Sequence, residues 1–591
     1  MQKISAQLRN HRLALIFAFF VGLIYILPQI LFIFSLGNNY QGVPFMQIDD
    51  ENIYVARMHD ILDGYYLLGS PVFFDYKDQY PMVPPVSEYF YVLPSLILKI
   101  PLVYILIASK FILPTILFLL IYFLIYKLVD FENVNKKLTA VGGSLLVVLG
   151  YDLVDYNFLW HFLNGNVDPA GWLIWARPVN PILGAIFLFS FLLFILRVFK
   201  INNKKTDIFV AGLFLALMIS SYFFSWGMAF SILFILGIIF LIKKDYIKIK
   251  KLFYIFFVAI IITIPYWFLV FSASKSVWYK DAQKMSGLLH THQMVVNKIL
   301  LLSLVFYILF YVYQKFYKNY IIQKDWFVIC VSFIIGGLWA FNQQIITGIV
   351  IWPFHFVQYS IPLAIISLIL MFYYILRERI LLWRVFIILM IILSLSYGIF
   401  THYKVYGIYY KKYASYQNYG SVFSYLNQKT EKDSVVLVNE KQEDLTHLIP
   451  AFTHNNIYIS TYRFTLIPEA KKRFYHNYLV LLKLKGVTPE NINGYLFENR
   501  EEASTYLADN WYSLLHNNYF NNIDNSYFEE MFISLSDDYK VFYSNDFQAE
   551  LKKYRLDYIL SDGELAQSLV DEFSEIKLIF NKNNFYLYKL N

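Results

Sequence analysis

The sequence predicts an α-helical polytopic membrane protein of about eleven transmembrane helices, followed by a C-terminal extracytoplasmic α/β domain. Three observations carry this prediction. Of the 591 residues, 58% are hydrophobic and 16% charged, with a mean hydropathy of +0.48, whereas a soluble globular chain carries about 25% charged residues. The apolar residues fall in blocks of roughly 20, enough to cross a hydrocarbon core of about 30 Å. Positive charge alternates from one connecting loop to the next.

Apolar windows lie near residues 13–36, 103–129, 138–151, 180–199, 207–223, 226–242, 252–273, 299–316, 326–341, 357–376 and 382–400, with a membrane-grazing stretch before the second. The first is long and has no small-residue cleavage site before the polar segment after it, which excludes a cleaved signal peptide. The N-terminus and every second loop hold 21 Lys or Arg against six acids, while the alternate loops are richer in acids than in bases. By the positive-inside rule the N-terminus is cytoplasmic, and an odd span count places residues after about 401 outside. The net charge of +8 is therefore mostly topology and no nucleic-acid signal. The single Cys330 excludes an intrachain disulfide and a cysteine-based metal cluster. A bias toward Ile, Lys, Asn, Phe and Tyr points to an A/T-rich genome and a prokaryotic plasma membrane.

Two domains follow from this pattern: a multi-span domain, 1–400, and a soluble α/β domain, 401–591. Val435–Val438 and Ile457–Ile459 read as strands, and Val422–Asn427 and Glu469–Leu484 as helices. From Asp557 to Leu590 the pattern is strand, helix, then a hairpin turning at Asn583-Asn584. No nucleotide fingerprint and no internal repeat is present.

The loop 37–102 is the longest of the membrane portion and contains Asp49-Asp50-Glu51, then Tyr54 and Arg57. If a helix starts here, Asp50, Tyr54 and Arg57 share a face. Acids at a helix start cap free backbone N–H groups and complement the macrodipole. Three in a row at a membrane exit exceed that need; a positioned carboxylate can act as a general base or hold a divalent cation. Asp152 and Asp155, spaced i, i+3, can share a helix face where the third span ends, with His161, Asp168 and Arg177 in the same loop. Arg177 can snorkel to headgroups or grip a phosphate with its planar fork. Lys275, Lys280 and Lys284 oppose the charge trend and suit the same anion or simple solvation. Asn342, Gln343 and His355 lie in a polar segment between spans, where amides face protein or a water-filled cavity. They suit sugar hydroxyls or helix joining. His290 and His292 have no Cys or HExxH pattern nearby, which argues against zinc.

This layout resembles the GT-C superfamily of membrane glycosyltransferases, which includes protein O-mannosyltransferases, aminoarabinose transferases of lipid A and oligosaccharyltransferases. The likeness rests on Asp49-Asp50-Glu51-Asn-Ile-Tyr54 opening a long first outer loop, Tyr151-Asp152-Leu-Val-Asp155 opening the second, and an outer C-terminal domain after the spans. It covers 1–400 as architecture and the first loop as motif. Ala176-Arg177-Pro178 and Asn342-Gln343-Gln344 to Gly348 look similar to segments of bacterial members. The resemblance implies inverting transfer of a sugar from a polyprenyl-phosphate donor to a glycan, lipid or protein acceptor on the outer face. In that reading Asp50 or Asp49, in the catalytic group with Glu51, is the base. Tyr54, Arg57, Asp152, Asp155, Asn342, Gln343 and His355 bind substrate, and Arg177 with Lys275 or Lys280 steadies the leaving phosphate. Asp152 and Asp155 depart from the Asp-x-Asp or Glu-x-Asp spacing of oligosaccharyltransferases. No cofactor is certain, and a divalent cation (Mg or Mn) stays open.

Two other classes compete. A secondary transporter or flippase needs broken or charged mid-membrane helices and repeated halves; few charges lie in the spans and the halves do not look alike. A polymerase or ligase of lipid-linked glycans typically has its large loop late among the spans, whereas here it is first.

Overall fold

The computed structural model describes residues 9–46, 51–129, 134–169, 171–200, 202–317, 325–439, 443–460, 471–504, 506–507, 520, 524–573 and 575–590. The helical part comprises α1 (Arg12–Leu36), α2 (Glu51–Asp63), α3 (Val86–Leu98), α4 (Leu102–Leu128), α5 (Val134–Val148), α6 (Tyr156–Leu163), α7 (Ile182–Val198) and α8 (Lys205–Ile219). It continues through α9 (Phe223–Ile242), α10 (Tyr246–Ala273), α11 (Tyr279–Met285), α12 (Lys298–Tyr317), α13 (Asp325–Asn342), α14 (Val357–Leu376) and α15 (Ile380–Ser415). Every apolar window falls on a helix, and the grazing stretch is α3.

Among the described residues, eight helices are long and apolar enough to cross a membrane: α1, α4, α9, α10 and α12–α15. The remaining windows fold into α5, α7 and α8, of 15, 17 and 15 residues, short of the about 20 that a straight crossing needs. Position in the bundle follows from what each helix buries. In α14 78% of the spanning window is buried, against 17% in α10, so α14 is central. α10 turns Phe253, Phe257, Ile261, Ile264 and Phe268 outward, as a lipid-facing helix does. Small residues set the close approaches: a Cβ on Gly336 of α13 would lie 3.2 Å from the Ile232 backbone nitrogen of α9.

α15 continues unbroken past residue 400 to Ser415. Beyond it come α16 (Gly420–Lys429), β3 (Val435–Val438), α17 (Glu443–Phe452), β4 (Asn456–Ile457), α18 (Lys471–Leu484), α19 (Ile492–Glu498), α20 (Ser526–Ser544), α21 (Phe547–Leu551), β5 (Tyr558–Asp562), α22 (Gln567–Val570), β6 (Ile576–Lys582) and β7 (Phe585–Leu590). β1 (Leu288–His290) and β2 (Ile349–Ile351) form a separate antiparallel pair between two loops of the helical part. The C-terminal sheet has the order β4-β3-β5-β7-β6, parallel across β4-β3-β5 and antiparallel beyond. Its hairpin turns at Asn583 and Asn584, both at positive φ (55° and 65°), the conformation a two-residue turn requires and asparagine tolerates.

Alternation along the strands sends successive side chains to opposite faces. Val435, Leu437 and Ile559 pack under α18 and α20 with Tyr478, Leu482, Leu535 and Tyr539. Val436, Leu560 and Leu587 face the other way, into a cluster with Phe32 of α1 and Val43, Phe45, Val72 and Phe73 of the first loop. The loop also joins the sheet through its backbone, the Ile457 N–H donating to the Val72 carbonyl at 3.0 Å. α17 lies along α2. The C-terminal domain is thus seated on the first loop.

A buried polar network pins that contact. Lys77 lies 2.6 Å from Asp60 and 3.6 Å from Asp433. The Tyr65 hydroxyl donates to Asp433 at 2.7 Å, and Lys432 donates to the Asp63 carbonyl. Burial pushes the Asp60 carboxyl up from 3.8 to about 6, against the opposing pull of Lys77. A carboxyl raised on folding binds more protons folded than unfolded, so the stability it contributes is fully present below pH 3.8 and is lost as pH rises through about 6. An Asp60→Asn variant, unable to ionise, is expected to lose that part of the decline. Thermal midpoints of both proteins across this window check it, and parallel curves would refute it.

Candidate active site

α2 is an amphipathic helix immersed in protein, with Ile53, Tyr54, Val55, Met58 and Ile61 all buried. Its first residue, Glu51, is 3.0 Å from the ammonium of Lys110, a lysine within the apolar α4. Lys110 also donates to the Ala176 carbonyl at 2.9 Å. Both members of the pair are buried, and a buried pair costs desolvation that only good geometry and further hydrogen bonds repay. Here the return is positional: one lysine ties the start of α2 to the Ala176-Arg177-Pro178 run before α7.

Arg177 follows directly. It is half-buried, with its guanidinium 5.6 Å from the Tyr54 ring centroid and Nη2 donating to the Tyr54 hydroxyl at 3.5 Å. The run is held further by the Val179 N–H, which donates to the Tyr91 hydroxyl at 2.9 Å, and by the Tyr359 hydroxyl, which donates to the Pro181 carbonyl at 3.1 Å. Tyr222, just before α9, lies 3.4 Å from His355 Nδ1 and stands in the electrostatic reach of Arg177. His355 is packed between Phe224 and Trp352.

Of the sequence candidates, Glu51, Tyr54, Arg177 and His355 therefore converge from three separated segments. Asp49 and Asp50, next to Glu51 in the chain, lie outside the described residues. Arg57 is one turn further along α2, wholly buried and paired with Glu88 of α3. Lys110, Tyr222 and Tyr91 belong to the same centre and escaped the sequence reading. Lys110 had a legible signal, a lone cation inside an apolar run, which is a functional pointer in a membrane helix.

The other candidates lie elsewhere. Asp152 and Asp155 do not share a helix face. Asp152 sits in a 3₁₀ turn and accepts from the Tyr397 hydroxyl of α15 at 2.7 Å, and burial raises its carboxyl above the ordinary value. Asp155 caps α6, accepting from the N–H of Asn157 (2.9 Å) and Phe158 (3.4 Å), because a short carboxylate at that position satisfies free helix donors. Lys275 and Lys280 are exposed, Lys275 over the Phe271 ring at 4.2 Å. Asn342 accepts from the Val295 N–H at 2.8 Å and donates to the Leu338 carbonyl at 3.0 Å. Gln343 donates to the Ile349 carbonyl at 2.8 Å and accepts from Thr347. Asn342 and the β1–β2 pair tie loops 274–298 and 342–356 together, while Gln343 braces its own loop. Among the described residues no group of three His, Cys, Asp or Glu stands where it could hold a metal ion.

Fold and site together define a polytopic membrane protein with a polar centre between its first loop and its helical bundle, beneath a C-terminal α/β domain. No family model matches the sequence, and no curated protein matches it. Solved structures do show likeness. One is an oligosaccharyltransferase of Archaeoglobus fulgidus in complex with zinc and sulfate (TM-score 0.46, 14% identity, 93% of this chain and 68% of that chain). Another is AglB of the same organism with an inhibitory peptide and a dolichol-phosphate (0.47, 12%, 93% and 69%). A third is ArnT of Cupriavidus metallidurans bound to undecaprenyl phosphate (0.45, 9%, 96% and 98%). At such identities and TM-scores the likeness assigns no residue a role.

Proposed function

We propose that this chain is a membrane glycosyltransferase that moves one sugar from a polyprenyl-phosphate carrier to an acceptor hydroxyl at the outer membrane face. The observation that carries this reading is Arg177, a guanidinium fork held half-buried over Tyr54 of α2, the helix whose first residue, Glu51, directly follows Asp49-Asp50 in the chain. A general base and an anion-binding fork are what the reaction requires. Asp50, or its neighbour Asp49, takes the proton of the acceptor hydroxyl. The oxygen attacks the anomeric carbon with inversion, the bond from that carbon to the phosphate oxygen breaks, and the polyprenyl phosphate leaves with the electron pair. Arg177 stabilises the charge developing on that phosphate. Glu51, occupied by Lys110, anchors the segment bearing the base, and Arg57, occupied by Glu88, docks the same helix. The phosphate falls to Arg177 rather than to Lys275 or Lys280, which are exposed.

Deletion of the gene, followed by mass spectrometry of surface glycans and lipid-linked sugars, tests the reading. The expected result is loss of one sugar from a surface glycan with accumulation of its polyprenyl-phosphate donor, both reversed by the wild-type gene. Unchanged glycans with a small solute gained or lost would favour a transporter and sink the transferase. Shortened chains of unaltered composition would point to a polymerase or ligase instead.

A further inference from the structure

At the other end of α4 lies a second polar site. Lys110 and Lys127 are 17 residues apart on this helix (127 − 110), hence about 25 Å along its axis. There the ends of α4 and α7 and the start of α8 enclose a cavity of about 440 Å³, lined by Lys127, Arg197, Lys200, Lys204 and Asp207 above Phe123, Leu193 and Phe194. Among the described residues four cations face one carboxylate, and that carboxylate is spoken for: Asp207 pairs with Arg197 at 2.8 Å and accepts from the Lys204 backbone N–H at 3.0 Å. Among the described residues no carboxylate pairs with the side chains of Lys127, Lys200 or Lys204. Arg197 is itself steadied over the Phe194 ring at 4.9 Å.

We infer that this cavity binds the phosphate headgroup of an anionic membrane phospholipid. Like cations crowded round one hollow repel each other unless an anion joins them. The volume suits a headgroup or other small ligand and is far too small for a polymer. The lining separates the two halves of a lipid: a cationic rim at the ends of α4 and α7, and an aromatic and aliphatic floor of Phe123, Leu193 and Phe194 against which an acyl chain can lie. Basic pockets between membrane helices recognise anionic headgroups in this way. The inference is independent of the sugar-transfer reading, since none of these residues belongs to the centre around Arg177.

Native mass spectrometry of the purified full-length protein with matched additions of phosphatidylglycerol or phosphatidylcholine tests it. The wild type is expected to retain phosphatidylglycerol preferentially. The double variant Lys127→Ala/Lys200→Ala is expected to bind it about 30-fold more weakly, with phosphatidylcholine binding and thermal midpoint unchanged as controls for folding. Equal retention of the two lipids by the wild type would overturn the proposal without recourse to any variant. So would full retention by the double variant, or displacement of phosphatidylglycerol by millimolar inorganic phosphate, which would make the ligand a free anion.

Discussion

Replacing Asp49 and Asp50 together by alanine abolishes the proposed sugar transfer, and replacing both by asparagine lowers kcat/KM by about 10²–10⁴-fold, the range general bases contribute. The third acid of the run cannot take over. The Glu51 carboxylate is engaged by Lys110 at 3.0 Å in a buried pair, and freeing it would leave a buried ammonium without its counter-charge, a loss of about 3–5 kcal/mol. A helix cap, in contrast, is worth about 1 kcal/mol of stability and tolerates asparagine well, because the amide oxygen accepts the same N–H bonds. The asparagine variant therefore separates the two roles. Rescue of the deletion strain, scored on the surface glycan with expression of each variant checked, is the measurement. Full rescue by either expressed double variant would return the acidic run to capping.

The helical framework was legible because periodicity and length are local properties. All eleven apolar windows are helices, and in the C-terminal domain β3 and the Asn583-Asn584 hairpin fall where alternation and turn residues put them. Helix ends were harder: α5 and α8 stop at Val148 and Ile219, before the ends of their apolar windows at 151 and 223. The spacing of Asp152 and Asp155 suggested a shared face, yet a helix begins at Tyr156 and spends Asp155 on its cap, a boundary that spacing does not reveal. The residue types of the centre were readable at Tyr54, Arg177 and His355. What was hidden was pairing at long range. Glu51 finds Lys110, Arg57 finds Glu88 and Lys77 finds Asp433, and no pattern in one sequence tells which buried charge meets which. The same limit hid the docking of the first loop under the C-terminal sheet, where Val72 and Phe73 join a hydrophobic cluster with Val436 and Leu560.

Replacing Arg177 by alanine lowers kcat by about 10²–10³-fold, the loss typical of removing one preorganised donor from a developing oxyanion. The argument rests on where the charge appears. The donor phosphate is a diester in the ground state, with one negative charge shared by two oxygens. As the bond to the sugar breaks, a second charge grows on the departing oxygen, and a fixed guanidinium gains most there. The arginine is ready for that moment: the Tyr54 ring at 5.6 Å and hydroxyl at 3.5 Å hold it in place, and Lys110 fixes the carbonyl of the preceding residue. Lysine at the same position keeps the charge and loses the planar fork, so Arg177→Lys is expected to recover part of the rate and fall between wild type and alanine. The split of the kinetic constants decides the role. Equal losses in kcat and kcat/KM mean an interaction made only in the transition state, whereas a raised KM with kcat intact means that Arg177 binds the donor phosphate before and during reaction alike. The second outcome would keep Arg177 as a docking residue and remove it from the chemical step. A fall in the thermal midpoint matching the loss of activity would reduce it to a brace for Tyr54.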